Sequence, residues 1–199
     1  MLKRLFLIVL CVLGIDQAWD RFNRRAVLQP DGVLVASEPV QRAIARPASR
    51  PFGDFVLTPL ADFHIEGRVL LTSRYRLDNE ARLSPYDLGI GWKRMSDSAV
   101  LRGLELSQAR RFLLWHWRDV PPIPPAEITR SAANIHLIPA DAGVEARIAA
   151  LRPGQLVSLQ GQLVEALRSD GWHWRSSLTR EDEGFGACEL LYVEAVMPR

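Results

Sequence analysis

The chain is short of cysteine, of lysine and of every strong catalytic signature, and each shortage removes a class of protein. Two cysteines occur in 199 residues, and Cys11 lies inside an apolar run near the N-terminus. The remainder therefore holds Cys188 alone and cannot form an internal disulfide. Lys3 and Lys93 are the only lysines, against 23 arginines. Arginine's planar fork suits carboxylates and phosphates, although a GC-biased coding sequence produces the same ratio without that chemistry. There is no glycine-rich phosphate loop, no Cys-x-x-Cys pair, no His-Glu-x-x-His and no Gly-x-Ser-x-Gly. Nucleotide, zinc-protease and α/β-hydrolase readings thus have no motif behind them, and no cofactor or metal site is predicted.

A net positive charge on the body is lacking as well. The formal charge of +2 rests on Lys3 and Arg4, which precede the first acidic residue, Asp16. From Asp16 onward 23 basic residues face 23 acidic ones. A neutral body lacks the basic footprint that nucleic acid or an anionic lipid surface requires, so no nucleic-acid partner is predicted. The 48% hydrophobic and 24% charged fractions are those of a folded protein rather than a disordered one.

What is present begins at the N-terminus. Lys3 and Arg4 run into eleven uninterrupted apolar or glycine residues, Leu5 to Ile15, the layout of a secretory signal or signal-anchor. The exit, Gly14 to Phe22, has no Ala-x-Ala-like pair for signal peptidase, which favours an uncleaved anchor over residues 1–19. The basic start would stay cytoplasmic. The expected location is then the inner membrane, single-pass with the body in the periplasm, the alternative being secretion to the periplasm. The expected partners are the membrane, through this segment, and a periplasmic or membrane protein.

Residues 20–51 are rich in Arg, Ala, Val and Pro and read as a juxtamembrane arm or linker with one strand at Val33–Ala36. The globular domain is placed at 52–199. Phe63 to about Tyr75 predicts a strand with Gly67 as a bulge or close approach. Ser84 and Pro85 predict a helix start, with Asp87 on its first turn. A short helix follows from Ser96 or Asp97 to about Leu104, and then a strand at Phe112–Trp117, which the proline run 121–125 ends. Asp141 caps a helix whose Val144, Ile148 and Leu151 share one face. Strands over 156–167, 172–178 and 188–196 complete the chain, with a turn at Arg168–Gly171 and a mid-strand bend at Gly161. The class is α+β and β-rich, a small partly open OB-like barrel with short flanking helices, plus the N-terminal apolar helix.

Two features carry candidate chemistry. Trp115–Arg118 and Trp172–Arg175 repeat the phrase Trp-His-Trp-Arg. On strands this puts the tryptophans on one face and His with Arg on the other. The tryptophans either build the core or form a platform for a ring-shaped ligand. Separately, Cys188 with His136 as base and Asn134 or Asp141 as orienter is the minimum for a thiol nucleophile. The commoner fate of such a cysteine is that of a small buried hydrophobe. A zinc site from His136, His173 and a carboxylate, and a calcium site involving Glu181–Glu183, rest on residue type alone. The candidate ligand residues are Ser131, Asn134, His136, Trp172, Trp174, Arg175 and Arg180.

Four phrases carry a resemblance: Leu83–Asp97 with its core SPYDLGIGW, Pro122–Pro124, Ser131–Ala140 (SAANIHLIPA), and Asp170–Arg180 (DGWHWRSSLTR) with Gly186–Glu189. Over about Phe63 to Glu194 the chain resembles an uncharacterised group of proteobacterial exported or membrane-anchored proteins. The resemblance implies an exported or tethered bacterial domain and assigns no catalytic residue. The functional expectation is a tethered or exported binding or assembly module. The alternative is a thiol-dependent hydrolase or transferase using Cys188 and His136.

Overall fold

The architecture follows from one very long strand that is paired on both sides. The computed structural model describes residues 25–179 and 188–199. Strand β3 (Phe55–Arg74) follows the short strands β1 (Val40–Ala43) and β2 (Arg50–Phe52), both of which pair with it. The next elements are β4 (Tyr86–Gly91), helix α1 (Ser98–Leu101), the hairpin β5 (Glu105–Ala109) and β6 (Phe112–His116), α2 (Pro125–Ser131), and β7 (Ala132–Pro139). Helix α3 (Ala142–Ala149), β8 (Leu156–Arg168), β9 (His173–Arg175) and β10 (Glu189–Pro198) complete it.

The main sheet runs β3-β4-β7-β10-β8, and β8 pairs again with β3. Along Phe55–Arg68 strand β3 is held by β8, and along Arg68–Arg74 by β4, which bends the sheet into a partial ring. Strands β7 and β10 are parallel, whereas the other neighbours in the ring are antiparallel.

Period two then sorts the side chains. Phe63, Ile65, Leu88, Ile90, Ile135, Leu137, Leu159 and Leu191 point into the ring and form its core. Helix α3 closes this core with Val144 and Ile148, aided by Leu151 just beyond it, the face expected from the sequence. Each of these side chains contributes about 2 kcal/mol by burial. Asp141 caps α3, its carboxylate accepting from the Val144 N–H at 2.8 Å.

Several local expectations give way to tertiary pairing. Ser84 does not start a helix. It is buried and its hydroxyl donates to the Leu137 carbonyl at 3.1 Å, while Tyr86–Gly91 is fully buried as a strand between β3 and β7. Local capping chemistry loses there to two rows of sheet hydrogen bonds. Residues 33–36 form no strand; Ser96 receives the Leu34 and Val35 N–H groups, and Val35 sits in the core. The expected linker therefore contributes Val35, β1 and β2 to the folded body. Gly67 is a close approach, since a Cβ there would meet Ile90 at 2.4 Å, whereas the bulges of β3 fall at 59–61 and 69–71. Within 172–178 only His173–Arg175 pair as strand.

Gly161 is required. A Cβ on it would lie 1.9 Å from the Tyr192 carbonyl oxygen, beside the register shift of β10 at Val193–Ala195. Gly161→Ala is expected to destabilise the fold by about 3 kcal/mol through overpacking, measured by chemical denaturation. Gly171→Asn, in an open turn with φ +89° and no atom within 4 Å of a Cβ, is the comparison and is expected to cost only about 1 kcal/mol, the backbone strain without the clash.

Candidate functional site

The polar site lies on the outside of the ring, on the faces of β4 and β7 that alternate with the core. Asp87 and His136 are directly paired across the two strands, and Asn134 pairs with Gly89 two positions along. Asp87 is 1% exposed and His136 3%. His136 Nδ1 donates to Asp87 Oδ1 at 2.8 Å. Asn134 Nδ2 donates to Asp87 Oδ2 at 3.2 Å, and Arg111 Nη1 donates to Asp87 Oδ1 at 3.3 Å. A buried carboxylate is tolerable only with such donors around it.

The β5–β6 hairpin supplies the cover. Gln108 bridges Ser73 of β3 and Asn134 of β7, accepting from the Ser73 hydroxyl at 2.9 Å and donating to Asn134 Oδ1 at 2.7 Å. Leu113 packs over the bare Cα of Gly89. At the hairpin tip the Arg111 guanidinium also donates to Asp78 at 2.9 Å and to the Ser84 carbonyl at 3.1 Å. It lies 4.0 Å above the Tyr75 ring centroid and 5.6 Å from that of Trp174. Cation–π contacts therefore hold the same group that the carboxylates hold.

Between this hairpin, the 75–85 connection and β9 opens a cleft of about 480 Å³. Its walls are Tyr75, Phe112, Trp172 and Trp174, with Asp78, Glu80, Arg110, Arg111 and His173 at the polar positions and His136 and Cys188 at the base. Trp174 packs on His136 with centroids 4.6 Å apart and meets Trp172 edge to face at 6.2 Å. The Tyr75 hydroxyl is pushed up to about 12, first by burial and then by the Asp87 charge, with Arg111 opposing.

The sequence candidates separate accordingly. His136, Trp172, Trp174 and Cys188 converge on the cleft, and Asn134 lies behind it, donating to the Arg111 carbonyl at 2.9 Å. The Cys188 thiol is 3.9 Å from that same carbonyl. Arg175 does not line the cleft; it reaches Glu165 at 3.0 Å on the exposed side of β8. Ser131 is buried where α2 meets β7, its hydroxyl donating to the Glu127 carbonyl, and so serves the helix end. Asp141 is committed to capping α3. Arg180 and Glu181–Glu183 lie outside the described residues.

The two tryptophan pairs have different fates. Trp115 and Trp117, half-buried, pack against the cluster that holds Met95, Val100 and Ile128, while Trp172 and Trp174 pack against the cluster that holds Phe55 and Leu57. Neither pair builds the ring interior, where Trp92 is the buried indole. Asp87, Arg111 and Tyr75 escaped the sequence reading. The available signal was Ala109–Phe112, a two-residue turn between alternating segments that points one side chain back at the sheet.

Among the described residues no three His, Cys, Asp or Glu side chains are grouped to hold a metal ion, although His136 and His173 share the cleft. No helix among them is long and apolar enough to cross a membrane, and Leu5–Ile15 lies outside them. Comparisons with family models, curated proteins and solved structures give no match for this chain.

Asp87→Asn leaves the Arg111 guanidinium short of a buried counter-charge. It is expected to cost about 3–5 kcal/mol of stability, read from the urea midpoint at unchanged m-value. Tyr75 gives a pH signature. Its folded value lies above the ordinary value near 10, so the unfolded chain ionises first and stability falls as pH rises from about 10 to about 12. In Tyr75→Phe the thermal midpoint is expected to fall less steeply over that range. An equal slope in both proteins would remove Tyr75 as its source.

Proposed function

We propose that this protein is a membrane-tethered or exported bacterial binding module whose ligand occupies the cleft above Asp87 and His136. The single observation that carries the reading is the preformed cleft itself, aromatic on its walls and polar at its base, with the base buried and already hydrogen-bonded. Aromatic side chains offer a rigid surface for a ring, and the ordered donors beneath them fix orientation at little entropic cost.

The fold reading that goes with it is an OB-type barrel. Counting only ring strands, β3, β4, β7, β8 and β10 are first to fifth, their order is 1-2-3-5-4 returning to 1, and third and fifth are parallel. Helix α3 lies between third and fourth. In such barrels ligands lie on the outer face of the second and third strands, between the first–second and fourth–fifth connections. The cleft's lining supports this reading, with Tyr75 and Asp78 on one connection and Trp172 and Trp174 on the other.

Tethering or export is supported by the Leu5–Ile15 run behind Lys3 and Arg4, and by the resemblance to exported and anchored proteobacterial proteins. The neutral body favours a small ligand or a periplasmic or membrane protein over nucleic acid. Binding is preferred to thiol catalysis because the Cys188 thiol is turned toward the Arg111 carbonyl; the Asp87–His136 pair by itself is compatible with either reading.

The test is a small-molecule screen on the full chain in detergent, read by tryptophan fluorescence. Hits are expected to bind Trp174→Ala at least about tenfold more weakly at a preserved far-UV spectrum, the size of one lost stacking contact. Hits indifferent to Trp174 would sink the cleft reading. Carbonate-resistant membrane association that survives deletion of residues 1–15 would sink the anchor.

A further inference from the structure

The hairpin tip over the cleft holds two consecutive arginines in a conformation that disfavours both. Ala109 and Phe112 pair directly, so Arg110 and Arg111 alone make the turn, at φ +50° and +67°. A two-residue hairpin turn of this type has left-handed backbone at both positions, which matches strand twist and is why Asn and Gly are its usual occupants. An unstrained sequence for this turn was available and is not used. Strain of this kind persists where the side chain has work to do.

For Arg111 that work is visible in its bonds to Asp87, Asp78 and the Ser84 carbonyl. Arg110 has no such account. It is exposed and lines the cleft, and none of the hydrogen bonds or ion pairs among the described residues involves its side chain. Asp78 already receives Arg111, and Glu80 on the other rim forms no ion pair with Arg110. His173, exposed on β9, borders the same space.

We propose that Arg110 is an anion-binding residue and that the cleft takes a flat or ring-shaped ligand bearing a carboxylate or phosphate. The ring lies along Trp174 and Phe112, and the anion reaches Arg110 with His173 in support. The planar fork of arginine suits both anions, and an ionised partner strengthens each hydrogen bond. This deepens the cleft reading and rests on it.

The experiment uses the full chain in detergent and three anionic probes with neutral counterparts. These are glucuronate and glucose 6-phosphate against glucose, and benzoate against benzyl alcohol, titrated by tryptophan fluorescence at low salt. At least one anionic probe is expected to bind about tenfold or more tightly than its counterpart, with the sugar and aryl arms separating the two ring sources. Arg110→Gly is expected to abolish that preference, and Arg110→Lys to retain part of it. The thermal midpoint of Arg110→Gly is expected to equal or exceed that of the parent, since glycine accepts φ +50° freely, which excludes unfolding as the cause. Equal binding of charged and neutral probes overturns the proposal and leaves the cleft reading standing. So does an anion preference that survives in Arg110→Gly. Failure of all five probes to bind overturns both.

Discussion

The arrangement outside the ring depends on one carboxylate. Asp87 has almost no access to water, and its two oxygens accept from His136, Asn134 and Arg111. Those donors come from β7 and from the tip of the β5–β6 hairpin, so the carboxylate joins segments that apolar packing alone would leave free to slide. Desolvating such a cluster is expensive, and a hydrophobic replacement could match its stability. What it supplies is geometry: a fixed imidazole, a fixed hairpin tip and a fixed position for the Trp174 ring that leans on His136. Gln108 and Ser73 extend the same network to β3.

The two faces of β4 and β7 divide the labour. Residues at alternate positions enter the ring and fill it with Leu88, Ile90, Ile135 and Leu137. The intervening ones, Asp87, Asn134 and His136, face outward beneath the hairpin and β9. A strand one residue out of register would exchange these sets, placing the carboxylate in the core, so core and site specify each other. The N-terminal arm is fastened elsewhere. The Val27 N–H donates to the Pro153 carbonyl at 2.7 Å just before β8 begins, whereas β9 and its tryptophans follow where β8 ends.

Much of the fold was legible in the chain. Helix α3 with its Asp141 cap, strand β6, the two long C-terminal strands and the turn at Arg168–Gly171 all have local causes: apolar periodicity, capping chemistry and Gly-bearing turns. Ser84 and Pro85 misled for an equally physical reason. Their capping signal is real, but the segment behind them is buried between two strands, and pairing there outweighs a first-turn preference. Strand β7 had no turn signal to announce it, since it follows α2 without a connecting residue. The site was legible only as loose parts. His136, Trp172, Trp174 and Cys188 stood out by residue type, while Asp87, Tyr75 and Arg111 did not, because their importance comes from neighbours distant in the chain, as His136 is from Asp87 and Trp174 from Arg111.

By itself the amino-acid sequence determined composition-level facts: a neutral body, a single thiol beyond the apolar run, a basic start before Leu5–Ile15, and a β-rich chain with one well-capped helix. These follow from properties that each residue carries with it. Tertiary structure decided which residues meet. Sheet register paired Asp87 with His136, a two-residue turn aimed Arg111 at Asp87, and the lean of β9 brought Trp174 over His136. Such contacts depend on strand order and pleat, which no local stretch of sequence encodes, and for that reason the cleft emerges only when the ring is assembled.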